Sequence, residues 1–149
     1  MKKLISTALA FAAITMALPA AAQFAKPEDA IKYRKNALFV MQQNYARVAG
    51  MAAGRVPFDA KVAADSAANA EFVSKLPWAG FGEGTDKGDT KAKAEIWTDK
   101  AKFDDYAQKM QAEMGKLNAA AKTGSLDAIK AAVGAVNGSC KACHDAFRS

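Results

Sequence analysis

The chain has 149 residues, of which 51% are hydrophobic and 24% charged, with 21 basic against 15 acidic residues for a formal charge of +6. That length suits one domain with a real core. The basic excess is mild and its lysines are scattered, which argues against a nucleic-acid surface. Two cysteines and one histidine fall short of the four ligands of a structural zinc site.

Residues 1–22 carry Lys2 and Lys3, an apolar run from Leu4 to Leu18, and Ala20, Ala21 and Ala22 before Gln23. A basic start, a short apolar core and small residues at a cleavage point predict a secretory signal removed after Ala22. The apolar run of 15 residues is shorter than the roughly 20 that span a bilayer. The mature chain, 23–149, then forms one domain with a formal charge of +4, since Lys2 and Lys3 leave with the signal.

The punctuation predicts four helices and no strand. The first starts after Lys26, with Pro27 in its first turn and Glu28 and Asp29 favourably placed at the positive end of the helix dipole, and runs to about Gly50. Its apolar row is Ile31, Arg34, Leu38, Met41, Tyr45 and Val48. An unpaired guanidinium buried in such a row costs roughly several kcal/mol, so Arg34 needs a partner or an escape to solvent.

The second helix follows Pro57 and reaches about Leu76, where Pro77 stops it; its marked row is Phe58, Val62, Asp65, Asn69, Phe72 and Leu76. A glycine-rich stretch, 80–88, reads as a long loop. The third helix starts at Thr98 as N-cap and ends at Gly124, with a row of Phe103, Tyr106, Met110, Glu113, Leu117 and Ala120 and with Met114 beside it.

The fourth helix opens at Ser125 as N-cap and runs to the C-terminus. Leu126, Ile129, Val133, Val136, Cys140, Cys143 and Phe147 follow alternating steps of three and four, the inner seam of a helical bundle. That seam contains the run Cys140, Lys141, Ala142, Cys143, His144, whose histidine is the only one in the chain. Two cysteines at this spacing, followed at once by histidine, form a covalent haem attachment site. A redox Cys-x-x-Cys pair normally opens a helix after a strand, whereas this one closes a long helical pattern.

With one haem c per chain, both cysteines form thioethers, His144 is the axial iron ligand, and two propionates lower the mature charge to about +2. A propionate is an apt partner for Arg34, because a planar guanidinium binds a carboxylate through two hydrogen bonds; the other reading lets Arg34 snorkel from the bundle end. The opposite iron face decides function. If Leu38 faces the iron, no sixth ligand forms and the iron is five-coordinate and high-spin. If Met41 reaches it, a low-spin His/Met electron carrier results. Met41 also has the ordinary reading of core filler. No residue offers itself as a distal acid or base, so the chain is not read as an enzyme.

The mature chain resembles cytochrome c-prime, the high-spin class II cytochromes c of bacterial periplasms. The resemblance rests on Gln23 to Ala30, on Ile31-Lys32-Tyr33-Arg34, on Leu76-Pro77-Trp78, on Ile96-Trp97, and on Cys140 to Arg148. It implies an all-α, antiparallel, left-handed four-helix bundle with covalent haem c in its interior, in the periplasm. It further implies that Leu38 covers the vacant iron face, that Arg34 meets a propionate, and that Lys35 and, more weakly, Asp89 contact the haem edge. The loop carries a short insertion around Lys91 to Ala94 relative to the family pattern.

Arg148, one turn after His144, matches an arginine beside the proximal histidine, where its charge weakens the imidazole as an iron donor; complementing the helix dipole is its other reading. The family binds nitric oxide and carbon monoxide and is linked to protection against nitric oxide. It forms homodimers through its first two helices, where Ala63, Ala64, Ala67 and Ala68 permit close packing. No membrane association is expected after signal cleavage, and the redox partners are unspecified.

Overall fold

The computed structural model describes residues 23–149; the expected signal over 1–22 lies outside the described residues. Helix α1 spans Pro27–Ala52, α2 Ala60–Val73, the short α3 Glu95–Thr98, α4 Lys100–Lys122 and α5 Leu126–Phe147, with a 3-10 turn at Pro77–Gly80. The four long helices form an antiparallel bundle, and no strand occurs among the described residues. None of these helices is long and apolar enough to cross a membrane.

The helix ends follow local chemistry. Pro27 begins α1 with Glu28 and Asp29 in its first turn. The Ser125 hydroxyl accepts from Ala128 N to open α5, directly after Gly124 at φ 70°, a left-handed backbone that glycine adopts without strain. Two expected boundaries are corrected. Helix α2 stops at Val73 rather than Leu76, because Lys75 and Leu76 already make tighter three-residue bonds to Phe72 and Val73 ahead of Pro77. The cap of α4 is Asp99, whose carboxylate accepts from Lys102 N, while Thr98 closes α3.

Two helix faces are corrected as well. The buried side of α2 is Ala63, Ser66, Ala67 and Ala70, whereas Val62 and Phe72 are 44% and 66% exposed. Small residues bring α2 close to its neighbours, and this close approach outweighs the hydropathy of the adjacent row. Because Ala63 and Ala67 are spent inside this chain, they do not offer a surface to a second copy. On α4 the buried row is Phe103, Ala107, Met110, Met114, Leu117 and Ala121, so Met114 belongs to the seam and Glu113 lies at its edge.

Two clusters make the core. The larger is aliphatic and runs along the bundle, with Val48, Leu117, Ile129 and Val136 completely buried and Met41, Met51, Met110 and Met114 filling between them. The smaller is aromatic and lies at the end where α5 finishes, built from Phe81, Ile96, Phe103 and Phe147. Phe103 packs on Phe81 at 4.8 Å and edge-on to Phe147 at 5.4 Å between ring centroids. Trp78 packs against both clusters.

Candidate functional site

The pentad sits where those clusters meet. Cys140 packs against the aliphatic core and Cys143, three residues on, against the aromatic one. Both thiols are free and partly buried. Burial pushes both above the ordinary thiol range, with the neighbouring Cys140 adding to the effect at Cys143. A dithiol redox centre requires the opposite, a stabilised thiolate. Among the described residues no group of three or more His, Cys, Asp and Glu side chains gathers as a metal site, which leaves zinc coordination without a ligand set.

The donor set therefore fits haem attachment. Protonated thiols spaced by one helical turn can each add across a vinyl group to give a thioether. His144 lies on the outward side of the same turn and is open to solvent. Its pKa is lowered, first by partial burial and then by the nearby Arg148 charge, against an opposing pull from Asp145. Neutral imidazole, the form that ligates iron, is thereby favoured.

Leu38 is half-buried and packs against the same aliphatic cluster as Cys140, together with Tyr45 and Trp78. The donors of these two cluster neighbours are already committed. Trp78 Nε1 donates to Ser74 O at 2.7 Å. The Tyr45 hydroxyl lies 3.1 Å from Val133 O and 2.8 Å from Asn137 Oδ1 on α5. Burial, reinforced by the nearby Cys140, pushes the Tyr45 phenol up to about 12. Met41, one turn further along α1, is buried in the core.

Arg34 does not snorkel: it is 2% exposed. One terminal nitrogen donates to Gly80 O at 2.8 Å and Thr85 Oγ1 at 3.0 Å, the other to Thr85 O at 2.9 Å and Thr90 Oγ1 at 2.8 Å. The guanidinium also lies over the Phe81 ring, 4.4 Å from its centroid. Only its Nε–H is left for a propionate. Burial lowers its pKa, and a guanidinium stays charged through such a shift. Gly80 is required at this junction, since a Cβ there would stand 2.6 Å from Ala30 O and 2.8 Å from Arg34 Cβ.

Lys35 and Asp89 are brought together as an exposed ion pair at 2.5 Å, beside the loop that Arg34 holds. The Lys35 ammonium keeps the Asp89 carboxyl below its usual range. Arg148 is exposed at the chain end, where its backbone N–H donates to His144 O at 3.0 Å. Sequence reasoning missed the partners of Arg34. Thr85 and Thr90 lie 51 and 56 residues away in a loop without periodicity, so no local pattern marks them.

The family model described as Cytochrome C' matches residues 29–148. The cytochrome c' of Rubrivivax gelatinosus is 52% identical over 127 residues, covering 85% of this chain and 98% of the relative. A crystal structure of cytochrome c' from that organism superposes with a TM-score of 0.82, covering 85% of this chain and all of that one. A nitric oxide complex of a leucine-to-alanine variant of cytochrome c' from Alcaligenes xylosoxidans superposes with a TM-score of 0.80 at 45% identity, covering 85% of this chain and 98% of that one.

Proposed function

The chain belongs to the cytochrome c' family, and from that premise we propose that it is an exported, periplasmic haem c protein that binds nitric oxide and carbon monoxide and protects against nitric oxide. Cys140 and Cys143 would hold the haem through thioethers, and His144 would ligate its iron. When bound, the haem supplies the iron at which a diatomic gas is held. The work of the chain is to fix one side of that iron and to restrict the other.

The restriction is carried by one observation: Leu38 is an apolar side chain packed against the same cluster as Cys140, and the donors of Tyr45 and Trp78, which pack there too, are engaged elsewhere. Trp78 gives its single N–H to Ser74 O, the Tyr45 hydroxyl is engaged on α5, and the terminal nitrogens of Arg34 hold the loop. Bound dioxygen needs a donor to stabilise its partial negative charge, whereas nitric oxide and carbon monoxide depend on one far less. A face covered by a leucine, which has no donor to offer, therefore selects against dioxygen. On the other side, burial first, and then the Arg148 charge, reduce the basicity of His144, which would make it a weaker donor to iron. The nitric oxide complex of the Alcaligenes xylosoxidans variant supports the same ligand class here.

Leu38→Ala opens the covered face, and gas association should accelerate by about an order of magnitude, the effect of removing roughly 1.4 kcal/mol of steric barrier. Stopped-flow mixing of the ferrous protein with carbon monoxide measures it; unchanged rates would remove Leu38 from the ligand path. The protein is further read as a homodimer through α1 and α2. Phe39 on α1 and Phe72 on α2 are 61% and 66% exposed, and Val40 and Val62 are also open. The role is read as binding rather than catalysis, in keeping with a leucine as the residue over the open face.

A further inference from the structure

A continuous hydrogen-bonded path joins the helix that carries Leu38 to the residue that follows the iron-binding turn. Arg34 on α1 donates to Thr90 Oγ1 at 2.8 Å, and the same hydroxyl accepts from Ala92 N at 3.1 Å. Ala92 forms an isolated antiparallel bridge with Arg148. On either side of that bridge Lys93 N donates to Phe147 O and Ser149 N to Lys91 O, each at 3.0 Å. The Lys93 ammonium adds a bond to Asp145 O at 3.0 Å. The segment 91–93 is thus a strap across the chain end, and it holds Arg148 extended, at φ −126° and ψ 132°, immediately beyond the last turn of α5.

A lone arginine at a helix end would sample many directions, since its side chain loses much rotamer freedom only when its backbone and surroundings are fixed. Here the backbone is clamped on both sides, so the direction in which Arg148 leaves the helix is set by the loop. Thr90 hydrogen-bonds to both the Arg34 guanidinium and the strap.

We propose that Thr90 is a positioning residue: its hydroxyl ties α1 to the strap 91–93, and the strap presents Arg148 beside His144. The inference rests on the reading of His144 as iron ligand with Arg148 as its neighbour. It adds that the loop between α2 and α4 sets the proximal side of the site.

The test compares Thr90→Val, Thr90→Ser, Ser149→Pro and Arg148→Ala in the ferrous holoprotein, with the iron–histidine stretch by resonance Raman and the five-to-six-coordinate ratio of the nitrosyl adduct as readouts. Thr90→Val removes the hydroxyl at nearly constant shape. Ser149→Pro removes the donor to Lys91 O at an exposed end, and it favours the extended backbone that Arg148 already has, so folding is spared. Both should raise the stretch frequency and the six-coordinate fraction in the direction of Arg148→Ala, and neither should shift an Arg148→Ala background further. Thr90→Ser should match the parent. In the apoprotein, amide exchange at Ser149 should speed up in Thr90→Val. If Arg148→Ala shifts the stretch but Thr90→Val and Ser149→Pro do not, the strap does not position Arg148. A Thr90→Val shift that persists in the Arg148→Ala background would likewise overturn it. If Arg148→Ala itself changes nothing, the reading of Arg148 beneath the proposal fails.

Discussion

The two halves of α5 follow one spacing rule yet meet different surroundings. From Ile129 to Val136 the seam is sealed, with both of these side chains completely buried among alanine, leucine and methionine. From Cys140 to His144 the same spacing gives half-buried thiols and an open imidazole, set between an aliphatic and an aromatic cluster. The first half makes stability by excluding water. The second half keeps reactive atoms reachable, and the bundle end around it adds to its aromatic cluster directional bonds from Arg34, Thr90 and the strap. The contrast teaches that a helical seam can change task along its length without changing period.

The largest effect expected from this division is all or none. Cys140→Ala with Cys143→Ala should abolish covalent attachment, so that haem staining on a denaturing gel disappears; persistent stain would place the attachment elsewhere. Next comes Ile129→Ala in the sealed half, which should cost roughly 3 kcal/mol in urea unfolding while leaving the haem spectrum of the folded protein unchanged. A spectral change there would blur the division between the halves.

The smallest effect is a titration at the boundary. Tyr45 ties α1 to α5 one turn before Cys140, and its phenol is pushed up to about 12, chiefly by burial. Because the folded state holds this proton more tightly than an unfolded tyrosine at about 10, the associated stability is complete below about pH 10 and is lost as pH rises toward 12. Ultraviolet absorbance of phenolate in the apoprotein should show one tyrosine ionising near pH 12. Its ionisation near pH 10, with no loss of stability above that point, would mean that Tyr45 is open to solvent.

How much of this was legible beforehand differs by residue. The pentad and the α5 seam were readable because attachment chemistry is local and the heptad-like period is unbroken from Leu126 to Phe147. The long helices were readable from the prolines, glycines and capping residues that bound them. The face of α2 was not, because hydropathy marks Phe72 and Val62 whereas close packing selects Ala63, Ala67 and Ala70. Arg34 was recognisable as a charge in an apolar row that needed a partner, but the loop carbonyls and threonine hydroxyls that hold its terminal nitrogens left no local pattern. The strap is made largely of backbone groups, which leave no signature in side-chain pattern.

The central claim is that one iron face stays free of protein ligands because Leu38, not Met41, covers it. Resonance Raman and absorption spectra of the purified holoprotein, ferric and ferrous, without added gas, test that claim most directly. Five-coordinate high-spin iron in the ferrous state, converting to a nitrosyl adduct on addition of nitric oxide, is the predicted result. A six-coordinate low-spin signature in both oxidation states would contradict it and identify a His/Met electron carrier instead.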